Sequence, residues 1–160
     1  MNRQSWALLA VAVSIIGLGV VFTVGSESTT TLVVADSEGN DQLEVSTEPG
    51  AEVALEYTHS VERTPVTDIY VVTDQGLVSD RMLFSSFGAG LPAQADVTRE
   101  GNRYVYEPPA KRYDPLIVTT GTIAGHELVV DGERFDLTEI ADGGTVQIRV
   151  ESGLKDKYGI

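Results

Sequence analysis

The sequence predicts an all-β domain, an antiparallel sandwich or barrel of about ten short strands, preceded by one N-terminal transmembrane helix. Three observations predict it. Beyond residue 30, apolar residues recur with a period of two or in short β-branched runs. Clusters of Gly, Pro, Asn and Asp separate those runs at intervals of about 8–12 residues. Residues 6–25 form one uncharged apolar stretch. No amphipathic helical pattern of roughly 10–15 residues lies between the strands, which argues against a parallel α/β sheet.

The apolar stretch reads WALLAVAVSIIGLGVVFTVG. A helix needs about 20 apolar residues to cross the hydrocarbon core. Arg3 precedes it and Glu27 is the first charge after it, so the positive flank is expected in the cytoplasm and the body outside. Trp6 stands where an interfacial aromatic anchor would. The alternative is a cleaved signal peptide, with Val24, Gly25 and Ser26 as a weak small-residue cleavage site. The stretch exceeds the roughly 7–15 residues of a usual signal core, which favours a retained anchor. The expected organisation is a membrane anchor over 1–26 and an extracytoplasmic β domain over 27–160, in a single-pass protein of the cell membrane.

The strands follow in order. Residues 31–36 (TLVVAD) and 42–46 (QLEVS) flank a turn at Ser37, Glu38, Gly39 and Asn40 and pair as a hairpin. Pro49 and Gly50 break the chain before 52–58 (EVALEYT), whose Val53, Leu55 and Tyr57 alternate inward. Residues 66–73 and 77–84 form a second hairpin about Asp74, Gln75 and Gly76. Residues 88–92 are a Gly-rich loop. Residues 95–99 and 103–106 flank Glu100, Gly101 and Asn102, and Pro108 and Pro109 stiffen the connector that follows. Strands at 116–120, 127–130, 134–137 and 145–150 complete the set.

Charge limits the partners. The chain carries 24 acidic against 11 basic residues, a formal net charge of −13, and its only lysines are Lys111, Lys155 and Lys157. The acids are spread along the body, so the expected surface is evenly acidic and repels nucleic acid and anionic headgroups. Such a Lys-poor acidic surface also suits high salt, and a halophilic source is expected. The chain has no cysteine. Disulfides, thiolate nucleophiles and zinc–thiolate sites are therefore excluded.

Three segments hold candidate binding residues. In YTHSVERTP, His59 suits a general base or metal ligand, Glu62 an orienting or ligating acid, and Ser60 a nucleophile that would need a partner base. Thr64 closes that segment before Pro65. The same residue types also serve as turn hydrogen-bonding groups at a strand end. In SSFGAGLP, Ser86 precedes Gly88 and Gly90, whose amides could form an anion nest; the segment is neither a P-loop nor a nucleophile elbow. His126 is the only other histidine. His59, Glu62 and His126 would suffice for an open metal site if they met in space. The acidic turns at 131–133 and 142–144 lack the spacing of a calcium loop, and hairpin geometry explains them. No recognised catalytic motif is present, and no motif names a cofactor or a metal.

Read together, YTHSVERTPV at 57–66 and SFGAGLP at 86–92 resemble the family of domain of unknown function 1850. The resemblance spans roughly 43–150, with GTIAGHEL at 121–128 and the closing strand at 144–150 following the family's pattern. The recurrent residues map onto Tyr57, His59, Ser60, Val61, Glu62, Thr64, Pro65, Ser86, Phe87, Gly88, Ala89, Gly90, Leu91, Pro92 and His126. The resemblance implies a short exported or anchored protein whose gene lies beside a TRAP transporter of the TAXI class, which imports small carboxylates. The implied function is an accessory or binding component of that transporter, and the implied partners are its permease or its TAXI-type solute receptor. A free-standing metal- or ligand-binding β domain is the alternative, and a hydrolase using Ser60 or His59 a weaker one.

Overall fold

Period-two alternation and β-branched runs produce antiparallel ladders throughout. The computed structural model describes residues 30–88, 92 and 96–153. The apolar segment 6–25, Gly90 with its neighbours Ala89 and Leu91, and the C-terminal tail lie outside the described residues. Among the described residues no helix is long and apolar enough to cross a membrane.

Among the described residues, twelve strands form two sheets, accompanied by one short helix. The smaller has the order β2-β1-β12-β9, built from β1 (Thr30–Ala35), β2 (Asp41–Thr47), β12 (Thr145–Ser152) and β9 (Leu116–Thr119). The first and last strands of the body are thus neighbours, with Thr30 opposite Ser152. The larger has the order β11-β10-β3-β4-β5-β7-β6. It contains β3 (Glu52–Thr58), β4 (Pro65–Thr73), β5 (Gly76–Phe84), β6 (Val97–Glu100), β7 (Arg103–Tyr106), β10 (Glu127–Val130) and β11 (Glu133–Asp136), and the two-residue β8 (Arg112–Tyr113) also pairs with β5. Each strand order has two ends, which is the arrangement of a sandwich and not of a closed barrel.

One core joins the two sheets. Leu32 and Val34 of β1 and Val146 and Ile148 of β12 pack with Val53, Leu55, Val72, Leu77, Leu128 and Val130 of the larger sheet. A second, smaller cluster forms around Val66 and Phe84, backed by Tyr57, Met82, Tyr104 and Tyr106. Tyr57 touches both clusters. On the outer faces arginines gather the excess acid: Arg134 bridges Glu56 and Glu127, Arg149 bridges Asp41 and Glu151, and Arg81 bridges Glu52 and Asp80. Exposed pairs of this kind contribute little individually, so the core and the ladders hold the fold.

The expected hairpins all form: β1–β2, β4–β5 and β6–β7. Asp131 and Gly132 both take positive φ between β10 and β11, the geometry of a type I′ turn. Two details differ from the sequence reading. Leu137 is not strand but opens α1 (Leu137–Ile140), because Asp136 caps it by accepting from the amides of Thr138 and Glu139. β8 went unread because two residues carry no periodicity.

Leu128 is essentially inaccessible whereas Ile117 is 55% exposed. Leu128→Ala is expected to cost about 2–5 kcal/mol and Ile117→Ser to change stability by less than about 0.5 kcal/mol. Urea unfolding followed by circular dichroism checks both.

Candidate functional site

The loop between β3 and β4 begins where Thr58 pairs with Pro65. It is closed by its own backbone: the His59 amide donates to the Thr64 carbonyl (2.9 Å) and the Arg63 amide to the His59 carbonyl (2.8 Å). Closure in so few residues forces Arg63 into the left-handed region, at φ 52°. The Glu62 amide donates to His59 Nδ1 at 3.1 Å. Accepting that bond requires an unprotonated Nδ1, so the neutral ring carries its proton on Nε2. His59 is therefore partly engaged in shaping its own loop. Ser60 is exposed.

The two sequence motifs meet in space. Thr64 Oγ1 lies 3.0 Å from Ser86 Oγ, joining the start of β4 to the segment after β5. Glu62 lies directly over Gly88: a Cβ at residue 88 would fall 2.3 Å from Glu62 Cγ and 2.7 Å from its Oε1. Gly88 is thus a glycine of close approach. The approaching group is the chain's own carboxylate. The Glu62 side chain therefore ties the first motif to the second at Gly88.

His126 is placed elsewhere. Its ring stacks on Tyr57, with centroids 5.2 Å apart. Its amide is held by Thr138 Oγ1, and its carbonyl accepts from the Leu137 amide. Burial lowers its pKa and so favours the neutral ring, and its buried Nδ1 finds no hydrogen-bond partner among the described residues. Among the described residues no three His, Asp or Glu side chains converge to hold a metal ion, so His59, Glu62 and His126 do not assemble the metal site that their types would permit.

Beneath Tyr57 lies a group that sequence reasoning missed. The Tyr57 hydroxyl donates to Asp68, an acid on the core-facing side of β4. Burial is the main cause that raises the Asp68 pKa from 3.8 to about 6, with the Tyr57 bond opposing it. The same burial, with the Asp68 charge, pushes the Tyr57 and Tyr70 hydroxyls above the usual tyrosine range. Asp68 borders a cavity of about 500 Å³ shared with Tyr70, Met82, Tyr106, Lys111 and Tyr113. The available signal was the series Val66, Asp68, Tyr70, Val72: an acid at an inward position of an alternating strand.

Two outcomes follow. Gly88→Ala is expected to cost about 1–3 kcal/mol by displacing Glu62, and appreciably less in a Glu62→Ala background; chemical denaturation of the four proteins closes the cycle. For Asp68 the folded carboxyl holds its proton up to about pH 6, whereas the unfolded one releases it near 3.8. Its destabilising effect is absent below pH 3.8, grows as pH rises between those values and is complete above about 6. Asp68→Asn is therefore expected to stabilise by about 2 kcal/mol at pH 8 and by nothing at pH 3.5, as read from melting curves at both pH values.

Residues 53–137 match the family described as domain of unknown function (DUF1850). No curated protein and no solved structure matches the chain. The match covers both motifs, the strands that bring them together and His126, and the chain belongs to the DUF1850 family.

Proposed function

We propose that this chain is a non-enzymatic accessory component of a TAXI-class TRAP transporter, exported and held by its N-terminal apolar segment, that docks the soluble receptor through the pole where its two motifs meet. The observation that carries this reading is the convergence of the motifs on one end of the larger sheet, at Thr64 with Ser86 and Glu62 with Gly88. The loop at 121–125 joins them there, since the Thr58 amide donates to the Ala124 carbonyl at 2.7 Å.

Each of the three loops carries a large apolar residue in solvent: Val61 at 67%, Phe87 at 41% and Ile123 at 81% exposure. Apolar side chains clustered among polar ones mark protein-binding surfaces. Their position also fits an anchored protein. Thr30 pairs with Thr47, and β3 begins one short turn later, so the N-terminal end of the body adjoins the start of β3. The motif loops follow the far end of β3, a seven-residue strand away, roughly 23 Å at the rise of an extended chain. Anchored at residues 6–25, the domain would present this pole away from the bilayer. That favours the extracytoplasmic receptor over the permease as partner.

The test is recovery of tagged full-length protein from native membranes at native salt, with the co-purifying proteins identified by mass spectrometry. A TAXI-type receptor is expected with the wild-type chain and at least tenfold less with Val61→Asp or Ile123→Asp. Absence of any transporter component, or recovery indifferent to both substitutions, overturns the reading.

A further inference from the structure

The larger sheet has an interrupted flank. Along β5, β7 pairs with Met82–Phe84 and β8 with Leu77–Val78, and Ser79 to Arg81 fall between the two ladders. The chain crosses this gap as the connector 107–111, in which Pro108 and Pro109 have no amide hydrogen to continue a ladder. The connector is tied back by Ser79, whose amide donates to the Lys111 carbonyl and whose hydroxyl accepts from the Lys111 amide, each at 2.9 Å. A bulge between Ile69 and Tyr70 in the β4–β5 register widens the same region. The result is the cavity of about 500 Å³ over Asp68, within the size range of small-molecule sites.

Its chemistry is specific. Asp68 sits between the two hydrophobic clusters, with Val66 in one and Val72 in the other on the same face of β4. Its hydrogen bond comes from Tyr57, and among the described residues it forms no ion pair. The Arg81 guanidinium is committed to Glu52 and Asp80. Tyr70 and Tyr113 meet edge to face at the wall, 5.9 Å between centroids. The chain's own ammonium already exploits that wall: Lys111 Nζ lies 4.8 Å from the centre of the Tyr113 ring. A carboxylate bordering a cavity with aromatic rings in its wall is an arrangement that recognises an organic ammonium ion, through charge on one side and a ring face on another. The net charge of −13 attracts cations and repels anions.

We propose that the cavity over Asp68 binds a small organic ammonium ion, with Asp68 as counter-ion and Tyr70 and Tyr113 as the aromatic wall. The site is distinct from the docking pole and independent of the transporter reading. Below about pH 6 Asp68 takes up a proton and the counter-ion is lost. The groups facing it are Tyr57 from β3, Tyr70 from its own strand, Tyr113 from β8 and, at the cavity wall, Lys111 and Arg81. Tyr57 and Tyr70 are pushed above the usual tyrosine range and Arg81 above the usual arginine range, so none of these three changes charge between pH 5 and 8.

Calorimetric titration of the detergent-purified full-length chain tests this, with choline, glycine betaine, the uncharged choline isostere 3,3-dimethylbutanol, and succinate as probes. Choline or glycine betaine is expected to bind at pH 7.5, at least tenfold more weakly at pH 5, and the isostere not to bind. Preference for glycine betaine would add Lys111 as partner to its carboxylate, and preference for choline would leave Lys111 out. Asp68→Asn is expected to abolish binding while raising stability, which separates loss of the site from loss of the fold. Tyr113→Leu, at the edge of the sheet, is expected to weaken binding at least tenfold. Failure of both ammonium probes, equal binding of the isostere, or binding of succinate in their place overturns the proposal.

Discussion

The register of β4 is the constraint on which the rest of the structure depends. Val66 and Val72 are both buried, one in each hydrophobic cluster, and they lie on the same face of one strand. A slip of one residue would turn both valines to the opposite face and cost two core anchors. The same register holds Asp68 and Tyr70 on the core side, opposite Leu55 and Val53 of β3. The acid is inside because the valines must be.

Two clusters in place of one continuous core follow from that arrangement. The smaller sheet covers the Val72 and Leu77 end of the larger one, where its own Leu32, Val34 and Ile148 pack. The Val66 and Phe84 end is covered by aromatic residues, Tyr104 stacking on Phe84 and Phe87 tilting against Tyr104 at 4.4 Å. Asp68 occupies the seam. A partly buried carboxylate costs free energy unless it has partners, and Tyr57 supplies one donor. The cavity beside it persists because the proline connector cannot complete the ladder along β5.

The motif residues divide by what they touch. Thr64, Ser86, Glu62 and Gly88 lock two loops together, and His59 shapes the first of them by accepting the Glu62 amide. Tyr57 belongs to the Asp68 seam on one side and to His126 on the other. One continuous motif thus contacts the Ser86–Gly88 segment, Asp68 and His126. Its polar residues position loops, and its apolar Val61 is left in solvent.

Local chemistry made most of the fold legible. Alternation over 52–58, the Gly76 and Gly101 turns and the Asp131–Gly132 pair each act within a few residues, so strands and hairpins could be read directly. Leu137 was misread because an apolar residue ending an alternating run looks like strand; the Asp136 cap, with Glu139 three residues on, was the signal for a helix start. The pairing of the two motifs was legible only as a resemblance, because contacts such as Thr64 with Ser86 join segments across a hairpin.

By itself the sequence determined most of the strand positions, the turns and the acidic balance, since each depends on neighbours along the chain or on a sum over it. The tertiary structure alone decided that β1 and β12 are partners, that Glu62 fills the space over Gly88, that His126 lies against Tyr57 and apart from any metal cluster among the described residues, and that Asp68 faces a cavity. Those facts are set by how sheets pack and where a ladder stops, and side-chain periodicity carries no record of either.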